Sequence, residues 1–304
     1  MPTDQTAFYR SIREMLGLTA NNLLIDLAPS ETVHNQRAAI LRHGLRVCSF
    51  SSLETYFESR FGDLLEKLGG AGLPFPTFSP KLQEFLIVDG VVGLANRTSF
   101  LPKSDRLAYI DKNLRDISTF AAGSPILTTF GFSPRGSNVN EKDLETALKA
   151  FELEGPWTYL TSKSGSIGGG ASSLRDNYIK LAKDRNTSAH NPTSQIPSND
   201  LQSHLQSVLT IGVTFDIALT KISGCFDKVL DFNSFKTKMS SFEPTVRFLD
   251  RRVDGRWDER SQSAGKSLKI HLNEQSGVMA ARQRSNVQLV VIRDEQKRPI
   301  GAKC

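Results

Sequence analysis

The chain has 304 residues, of which 38% are hydrophobic and 23% are charged, and its formal net charge is +6 at pH 7. This length suggests two domains or one domain with a large appendage, and the apolar content is enough for a hydrophobic core. There is no signal-peptide pattern, no apolar run near the roughly 18–20 residues of a membrane helix, and no cysteine spacing typical of a disulfide framework or a Cys/His metal cluster.

The helical pattern of residues 1–231 is continuous, and the longest early stretch covers residues 36–68. Apolar residues recur there mostly at three- and four-residue steps, which predicts an amphipathic helix. We expect the core-facing side chains of this helix to be the following: Leu41, Leu45, Cys48, Leu53, Tyr56, Phe57, Phe61, Leu64, Leu65 and Leu68. Cys225 is likewise expected to be a small apolar core residue, and the third cysteine is Cys304.

Capping residues mark three further helix starts. Ser79 precedes a proline at the first helical position, and Asn140 is followed three residues later by Asp143. Ser198 opens a long apolar helix that runs to about residue 228. A weaker helix is expected over about residues 105–121. Two long helices, near residues 36–68 and 199–228, are predicted to lie antiparallel and to form a helical bundle.

Another helix is expected from about residue 172 to His190, because Pro192 disfavours helical geometry at the residue before it. The Ser/Gly-rich loop that precedes this helix contains Gly168-Gly169-Gly170. No clear strand precedes this loop and no Lys-Ser/Thr pair follows it, so we favour a flexible hinge over a phosphate-binding loop.

After about residue 238 the sequence pattern changes from helical to β-prone. Residues 245–249 and 287–292 are rich in β-branched and aromatic side chains, and residues 294–301 resemble the turn and return of a hairpin. Residues 232–304 hold 15 Lys+Arg against 8 Asp+Glu, which leaves 23 against 24 for residues 1–231. We therefore predict a helical domain over residues 1–231 and a basic, β-containing C-terminal module over residues 232–304.

The hexad Arg185-Asn186-Thr187-Ser188-Ala189-His190 ends one of the predicted helices. An arginine can bind phosphate oxygens in a bidentate manner, and a histidine can transfer a proton near neutral pH. Asn186 offers both a hydrogen-bond donor and an acceptor. These groups are the ones that RNA phosphodiester cleavage needs when it uses no metal ion.

Spacing alone does not identify a site, because Arg37 and His43 form a second match of the same loose pattern. Residues five apart lie about 140° apart around an α-helix, so Arg185 and His190 do not share one face. Two copies related by a two-fold axis could supply two arginines and two histidines to one phosphodiester. The alternative is structural: a histidine that ends a helix and an arginine that is solvated.

The hexad resembles the RNxxxH signature of the HEPN superfamily (higher eukaryote and prokaryote nucleotide-binding domain). The likeness extends to Arg37-Ala38-Ala39-Ile40-Leu41 running on to Ser52-Leu53-Glu54-Thr55-Tyr56, which is similar to the first long helix of bacterial HEPN ribonucleases. Residues 138–160, with Trp157, resemble the segment before the motif helix. The resemblance covers about residues 32–230.

This resemblance implies an all-α bundle that dimerises into a metal-independent endoribonuclease, a toxin or defence effector with an antitoxin or sensor protein as a further partner. Arg185 would bind and polarise the scissile phosphate, His190 would act as general base or acid, and Asn186 would orient the histidine or the phosphate. Glu54 could pair with Arg185, or it could be an exposed, solvated carboxylate. The products would carry 2′,3′-cyclic phosphate and 5′-hydroxyl ends. Pro192 stands where some family toxins have a modified tyrosine, which puts that mode of neutralisation in doubt.

The C-terminal module supplies further candidates for RNA contact. Trp257 could stack on a base and the arginines around it could bind phosphates, although packing is the alternative for the ring. The residues of this set are Arg251, Arg252, Arg256, Trp257 and Arg260.

The functional expectation is therefore a cytoplasmic, homodimeric endoribonuclease that needs no cofactor or metal and acts on RNA away from membranes. Two alternatives stay open. The first is a non-catalytic HEPN domain that binds nucleotide, RNA or protein, and the second is a helical adaptor that functions through its basic C-terminal segment.

Overall fold

The computed structural model describes residues 4–122, 126–134, 138–192, 194–226, 231–262, 266–284 and 286–304. The protein is mostly helical and carries a small C-terminal sheet of five strands. This arrangement confirms the prediction of a helical fold with a β-containing appendage.

The helices begin and end as follows: α1 Asp4–Leu18, α2 Thr32–Gly70, α3 Pro80–Glu84, α4 Gly90–Ser99, α5 Lys103–Ser118, α6 Glu141–Ala150, α7 Pro156–Ser166, α8 Leu174–His190, α9 Ser198–Gly224, α10 Phe232–Ser241 and α11 Glu274–Arg282. A π-helical segment, Phe85–Asp89, joins α3 to α4. The strands are β1 Val246–Arg251, β2 Trp257–Ser261, β3 Lys269–His271, β4 Leu289–Arg293 and β5 Pro299–Lys303.

Capping contacts confirm two of the three predicted helix starts, those at Ser79 and Asn140, and α9 begins at Ser198 itself. The Ser79 side chain accepts a hydrogen bond from the backbone of Leu82 at 3.2 Å, with a proline at the first position of α3. Asn140 and Asp143 form a reciprocal capping box at the start of α6. Each contact satisfies a backbone N–H that the first helical turn leaves without a partner, so these starts depend on local sequence alone.

The chain divides into two compact units. The first contains Met1–Phe57, Leu160–Ile217 and Pro244–Cys304, and the second contains Glu58–Tyr159 and Ala218–Glu243. This division does not follow the predicted boundary at residue 231. The reason is that the C-terminal strands belong with α1 in the first unit, where Arg13 Nε donates to the carbonyl of Ile300 at 2.7 Å.

The core of the first unit is formed where α2, α8 and α9 pack together. The ring of Phe57 on α2 lies 4.5 Å from the ring of Phe215 on α9 and 6.1 Å from that of Tyr178 on α8. The ring of Phe50, about two helical turns before Phe57 on α2, also lies 5.6 Å from the ring of Tyr178. These aromatic contacts fix α8, which carries the hexad, against its two neighbours.

The second unit has its own aromatic core. Phe61 lies 5.2 Å from Phe132, 5.5 Å from Phe85 and 5.5 Å from Phe151, measured between ring centroids. All four of these rings are almost completely buried. The second unit can therefore bury its own apolar surface.

The first half of α2 turns a different face inward from the one predicted. Leu41 is 46% exposed and Cys48 is exposed, so the prediction that both are core residues is wrong. The buried positions include polar residues instead, among them Arg42, His43 and Arg46. The later half of the predicted stripe, from Leu53 to Leu68, is buried as expected, and so is Cys225.

The sheet has the strand order β3-β2-β1-β4-β5. Strands β1 and β4 are parallel, and the other neighbouring pairs are antiparallel. The β4–β5 pair confirms the predicted hairpin, and β1 confirms the first β-prone run. The crossover that the parallel pair of β1 and β4 requires runs through β2, β3 and α11. Helix α11 connects β3 to β4 and contacts the sheet.

Among the described residues, α9 is long and apolar enough to cross a membrane by length and composition. However, 89% of its most apolar 18-residue window is buried inside the protein. That burial is what a core helix shows.

Candidate functional site

The hexad lies at the C-terminal end of α8, as the sequence predicts. Ser173 caps the start of this helix with its side chain, and the helix ends at His190. The backbone N–H of Asn191 donates to the carbonyl of Thr187 at 2.8 Å and closes the last turn. Pro192 follows, so the helix cannot continue.

The first two residues of the hexad contact each other. Arg185 Nη1 donates to the Oδ1 atom of Asn186 at 3.0 Å. The arginine side chain is half-buried and the asparagine is exposed. Asn186 therefore contacts the guanidinium group of Arg185, whereas the sequence analysis expected it to orient the histidine or the phosphate.

His190 is exposed at the end of α8, while Ser188 between it and Arg185 is buried. The side chains of Arg185 and His190 thus leave the helix on different sides, in agreement with an angular separation of about 140° for positions five apart. One copy of the chain presents an arginine at the edge of the buried face and a histidine to solvent.

Glu54, the predicted partner of Arg185, lies on α2 with a half-buried side chain. Its ion pair with Arg185 stays a prediction.

Sequence reasoning missed a set of buried and half-buried polar side chains on the three helices that pack together around α8, which we call the polar layer: His43 and Arg46 of α2, Asp184 and Ser188 of α8, and His204 of α9. Four of these five residues are buried and Asp184 is half-buried. The sequence shows only that Arg42, His43 and Arg46 interrupt the apolar pattern of α2, which does not by itself indicate that they are buried.

Asp184 directly precedes Arg185 and is the carboxylate of the polar layer. Its Oδ2 atom accepts a hydrogen bond from Lys180 at 3.0 Å and lies 4.0 Å from Nδ1 of His204. Burial alone raises the pKa of Asp184, but the contacts with His204 and Lys180 and the charge of Arg46 outweigh it and lower the pKa to about 2. The carboxylate is therefore ionised at neutral pH.

The imidazole of His204 has no exposed surface. Burial is the largest cause that lowers its pKa, and the charge of Arg46 acts in the same direction, while Asp184 opposes both. His204 is therefore neutral at neutral pH and sits between a cation and a carboxylate.

The second Arg/His match does not form a comparable site. Arg37 is exposed, whereas His43 is buried and its Nε2 atom donates to the backbone carbonyl of Ser194 at 2.8 Å. This contact joins α2 to the connector that follows the hexad.

The C-terminal candidates for RNA binding are engaged within the protein. Trp257 is buried in β2, so its ring is not displayed for base stacking. Each of the four arginines has a carboxylate as an ion-pair partner, as follows: Arg251 with Glu295 at 3.7 Å, Arg252 with Asp258 at 3.2 Å, Arg256 with Asp254 at 2.7 Å and Arg260 with Asp258 at 3.0 Å. These pairs reduce the positive charge available to phosphates, and RNA binding by this set stays a prediction.

The glycine loop before α8 has a packing role. A Cβ atom at Gly168 would lie 2.2 Å from the carbonyl oxygen of Lys297, and its φ of +89° is one that other residues rarely adopt. Gly168 therefore permits a close approach of two backbone segments in the first unit.

Within the described ranges, no group of three or more His, Cys, Asp or Glu side chains is arranged to hold a metal ion. Comparisons with protein-family models, with curated proteins and with solved structures find no match.

Proposed function

We propose that the protein is an endoribonuclease that cleaves RNA without a metal ion, at a site composed of the hexads of two copies. The observation that supports the proposal best is the arrangement at the end of α8, where Asn186 orients Arg185 and His190 is accessible to solvent. The resemblance of this hexad to the HEPN signature supports the same activity and a HEPN-type helical domain.

The chemistry requires one bond to form and one to break. The ribose 2′-oxygen attacks phosphorus and the bond from phosphorus to the 5′-oxygen breaks, which leaves a 2′,3′-cyclic phosphate and a 5′-hydroxyl. His190 accepts the proton of the 2′-hydroxyl, and His190 of the partner subunit donates a proton to the departing 5′-oxygen. Arg185 holds the non-bridging oxygens and compensates their growing negative charge.

The pairing of two copies is supported by a largely apolar face on the first half of α2, on which Arg37 is also exposed. Val33, Ile40 and Leu41 are 59%, 50% and 46% exposed, and Gly44 and Cys48 lie on the same side of the helix. A Cβ atom at Gly44 would meet nothing within 4 Å, so a second helix could approach closely there. A second copy is the occupant we propose, because one copy presents Arg185 and His190 on different sides.

RNA cleavage in EDTA tests the activity. Purified protein is incubated with mixed cellular RNA beside Arg185→Ala and His190→Ala variants, and the product ends are identified. Loss of a positioned acid or base should lower the cleavage rate by about 100- to 10,000-fold. Arg175→Ala removes an exposed arginine from the same helix and serves as the matched control, which should cleave at the parental rate.

The outcomes separate the candidate functions. Cleavage by the parent and the control alone, with cyclic-phosphate ends, supports the ribonuclease. RNA binding that weakens steeply with salt, without cleavage, would identify a non-catalytic binding module. Cleavage that persists in both hexad variants would place the site elsewhere.

The proposed dimer has a separate test. In a Cys304→Ser background, Cys48 is an exposed thiol and Cys225 is buried. A short bis-maleimide should therefore link two copies through Cys48, and Leu41→Lys should abolish both the link and the dimer in sedimentation. Dimers that form without a Cys48 link would place the interface on another surface.

We assign the C-terminal module to contact with RNA or with a regulatory partner, such as an antitoxin or sensor protein, in the cytoplasm. Its excess of basic residues supports an anionic partner. Deletion of residues 244–304 would also remove the sheet that packs with α1, so point substitutions at exposed cations are the suitable test.

A further inference from the structure

The polar layer combines buried groups that ordinarily require partners. Among the residues that the structure describes, the following buried atoms make no hydrogen bond: Nδ1 of His43, Nε of Arg46, Oγ of Ser188, and both ring nitrogens of His204. Buried polar groups are normally satisfied, and leaving one unsatisfied destabilises the folded protein. A chain that keeps several of them in one layer forgoes stability there, which is typical of functional positions.

Residues of the polar layer lie at one level because the three helices that carry them pack against one another in a fixed register. Phe50 and Phe57 of α2 meet Tyr178 of α8, and Phe57 also meets Phe215 of α9. Eleven residues separate Phe57 from Arg46 and also Phe215 from His204, and the charge of Arg46 acts on His204. Helices α2 and α9 therefore run side by side in the same direction, with Arg46 and His204 at one level, and the prediction that they are antiparallel is wrong.

Asp184 connects this layer to the hexad. It occupies the same helical turn as Arg185, so a rotation or shift of α8 that moves one residue moves the other. The charged groups that act on Asp184 and His204 are Arg46 from α2 and Lys180 from α8. A neutral His204 lets Asp184 balance Arg46, whereas a charged His204 would place two cations side by side in a buried space.

We infer that Asp184, His204 and Arg46 form a positioning cluster that holds Arg185 in the orientation needed to bind the scissile phosphate. Asp184 is the positioning residue that acts on Arg185, and neutral His204 and Arg46 hold Asp184 from the two neighbouring helices. Because Arg185 binds phosphate only under the proposed function, the catalytic part of this inference rests on that function, while the coupling among the side chains does not.

The substitution Asp184→Asn removes the carboxylate charge and nearly keeps its shape. Glu145→Gln is the matched control, since Glu145 is a half-exposed carboxylate that Lys149 contacts from the next helical turn, as Lys180 contacts Asp184. His204→Gln is the second variant, because glutamine is polar, neutral and unable to titrate. Circular dichroism establishes that each variant is folded.

Nuclear magnetic resonance tests the coupling without any need for activity. In the parent, the His204 ring should titrate below its ordinary range, and Asp184→Asn should lower its pKa further, because the carboxylate that favours the imidazolium is gone. The same variant should shift the Arg185 Nε–H resonance and speed its exchange with water. Glu145→Gln should change neither signal.

Kinetics test the catalytic part. Asp184→Asn should lower kcat for RNA by about 10- to 100-fold with little change in KM, because a misplaced arginine still contacts the ground-state phosphate but stabilises the transition state poorly. In the parent, protonation of His204 should add to the acid-side fall in rate that protonation of the base His190 causes, and His204→Gln should remove only the added part. A purely stabilising role would change the melting temperature but not the pH profile.

The outcomes distinguish this inference from the proposed function. If the parent does not cleave RNA but Asp184→Asn changes both signals, the proposed function fails and the positioning of Arg185 by the cluster stands. If Asp184→Asn leaves the His204 titration and the Arg185 resonance unchanged, the inference is overturned whatever the activity.

Discussion

Asp216 of α9 is a fully buried carboxylate, and small substitutions can test how much its hydrogen bonds contribute to the stability of the protein. Its Oδ2 atom accepts hydrogen bonds from Gln5 Nε2 at 2.7 Å, from Tyr9 Oη at 2.7 Å and from Tyr56 Oη at 2.6 Å. Gln5 and Tyr9 lie on α1 and Tyr56 lies on α2, so this carboxylate joins three helices of the first unit.

Tyr56→Phe removes one donor and keeps the ring, which stacks on Phe8 with centroids 4.1 Å apart. A hydrogen bond to a charged group contributes about 1.5–3 kcal/mol, so we expect the free energy of unfolding to fall by about 2 kcal/mol. Tyr9→Phe should cost a similar amount. The double variant should lose more unfolding free energy than the two single variants together, because of these three donors only Gln5 then remains to stabilise the buried carboxylate.

Urea unfolding followed by circular dichroism measures these differences. Tyr109→Phe, the same chemical change at a half-buried tyrosine of the second unit, is the control and should stay within about 0.5 kcal/mol of the parent. A cost below about 0.5 kcal/mol for Tyr56→Phe, or strict additivity in the double variant, would refute the reasoning that the three donors stabilise one buried charge.

Three further predictions concern stability and use the same assay. Arg293→Met should cost about 1.5–3 kcal/mol, because it removes the two hydrogen bonds that Asp250 accepts at 2.6 and 2.9 Å and leaves Arg260, whose Nε lies 3.3 Å from Asp250, as the remaining cation; a smaller loss in the double variant with Asp250→Asn would support this cause. Gly168→Ala should destabilise by more than about 1 kcal/mol, because its φ is +89° and its Cβ atom would meet the Lys297 carbonyl. Burial lowers the pKa of His204, so the unfolded chain binds this proton more readily than the folded protein, and stability should fall as pH drops below the ordinary value of 6.5. His204→Gln should remove that acid-side slope.

The ends of the helices could be predicted because their causes are local. Asn140 with Asp143 specifies a capping box within four residues, and Pro192 ends α8 through its own ring. For the same reason the hexad could be placed at a helix terminus before any tertiary contact was known. The hairpin of β4 and β5 was similarly marked by two short β-prone runs around a turn.

The polar core of α2 could not be predicted from local pattern, because its partners come from distant parts of the chain. Arg42 is fully buried, and its guanidinium group donates to the carbonyl of Leu24 at 2.6 Å and to Asp26 at 2.7 Å. His43 finds its partner at Ser194. Without these contacts an arginine and a histidine in a helix are expected to face solvent, since a buried polar group requires a partner.

For a related reason, the sequence could not show that the C-terminal arginines predicted to bind RNA are paired with carboxylates. A cluster of arginines in a sequence indicates positive charge, but Asp254 and Asp258 lie between those arginines and neutralise them when β1 and β2 pair. Net charge counts residues, whereas a phosphate responds to the cations that remain unpaired at the surface.

One feature of the α2 sequence determines both the polar layer and the exposed apolar face. The step from Cys48 to Leu53 is five residues, which places about 140° between the stripe that ends at Cys48 and the stripe that begins at Leu53. A continuous helix can bury only one of them, and the later stripe, which includes Phe57, makes the aromatic contacts with α8 and α9. Arg46 is in register with Leu53 and is therefore carried inward beside Asp184, while Leu41 is carried outward. The same register thus places a charged cluster beneath Arg185 and leaves an apolar face for a second copy, so a chain altered to bury Leu41 should lose both.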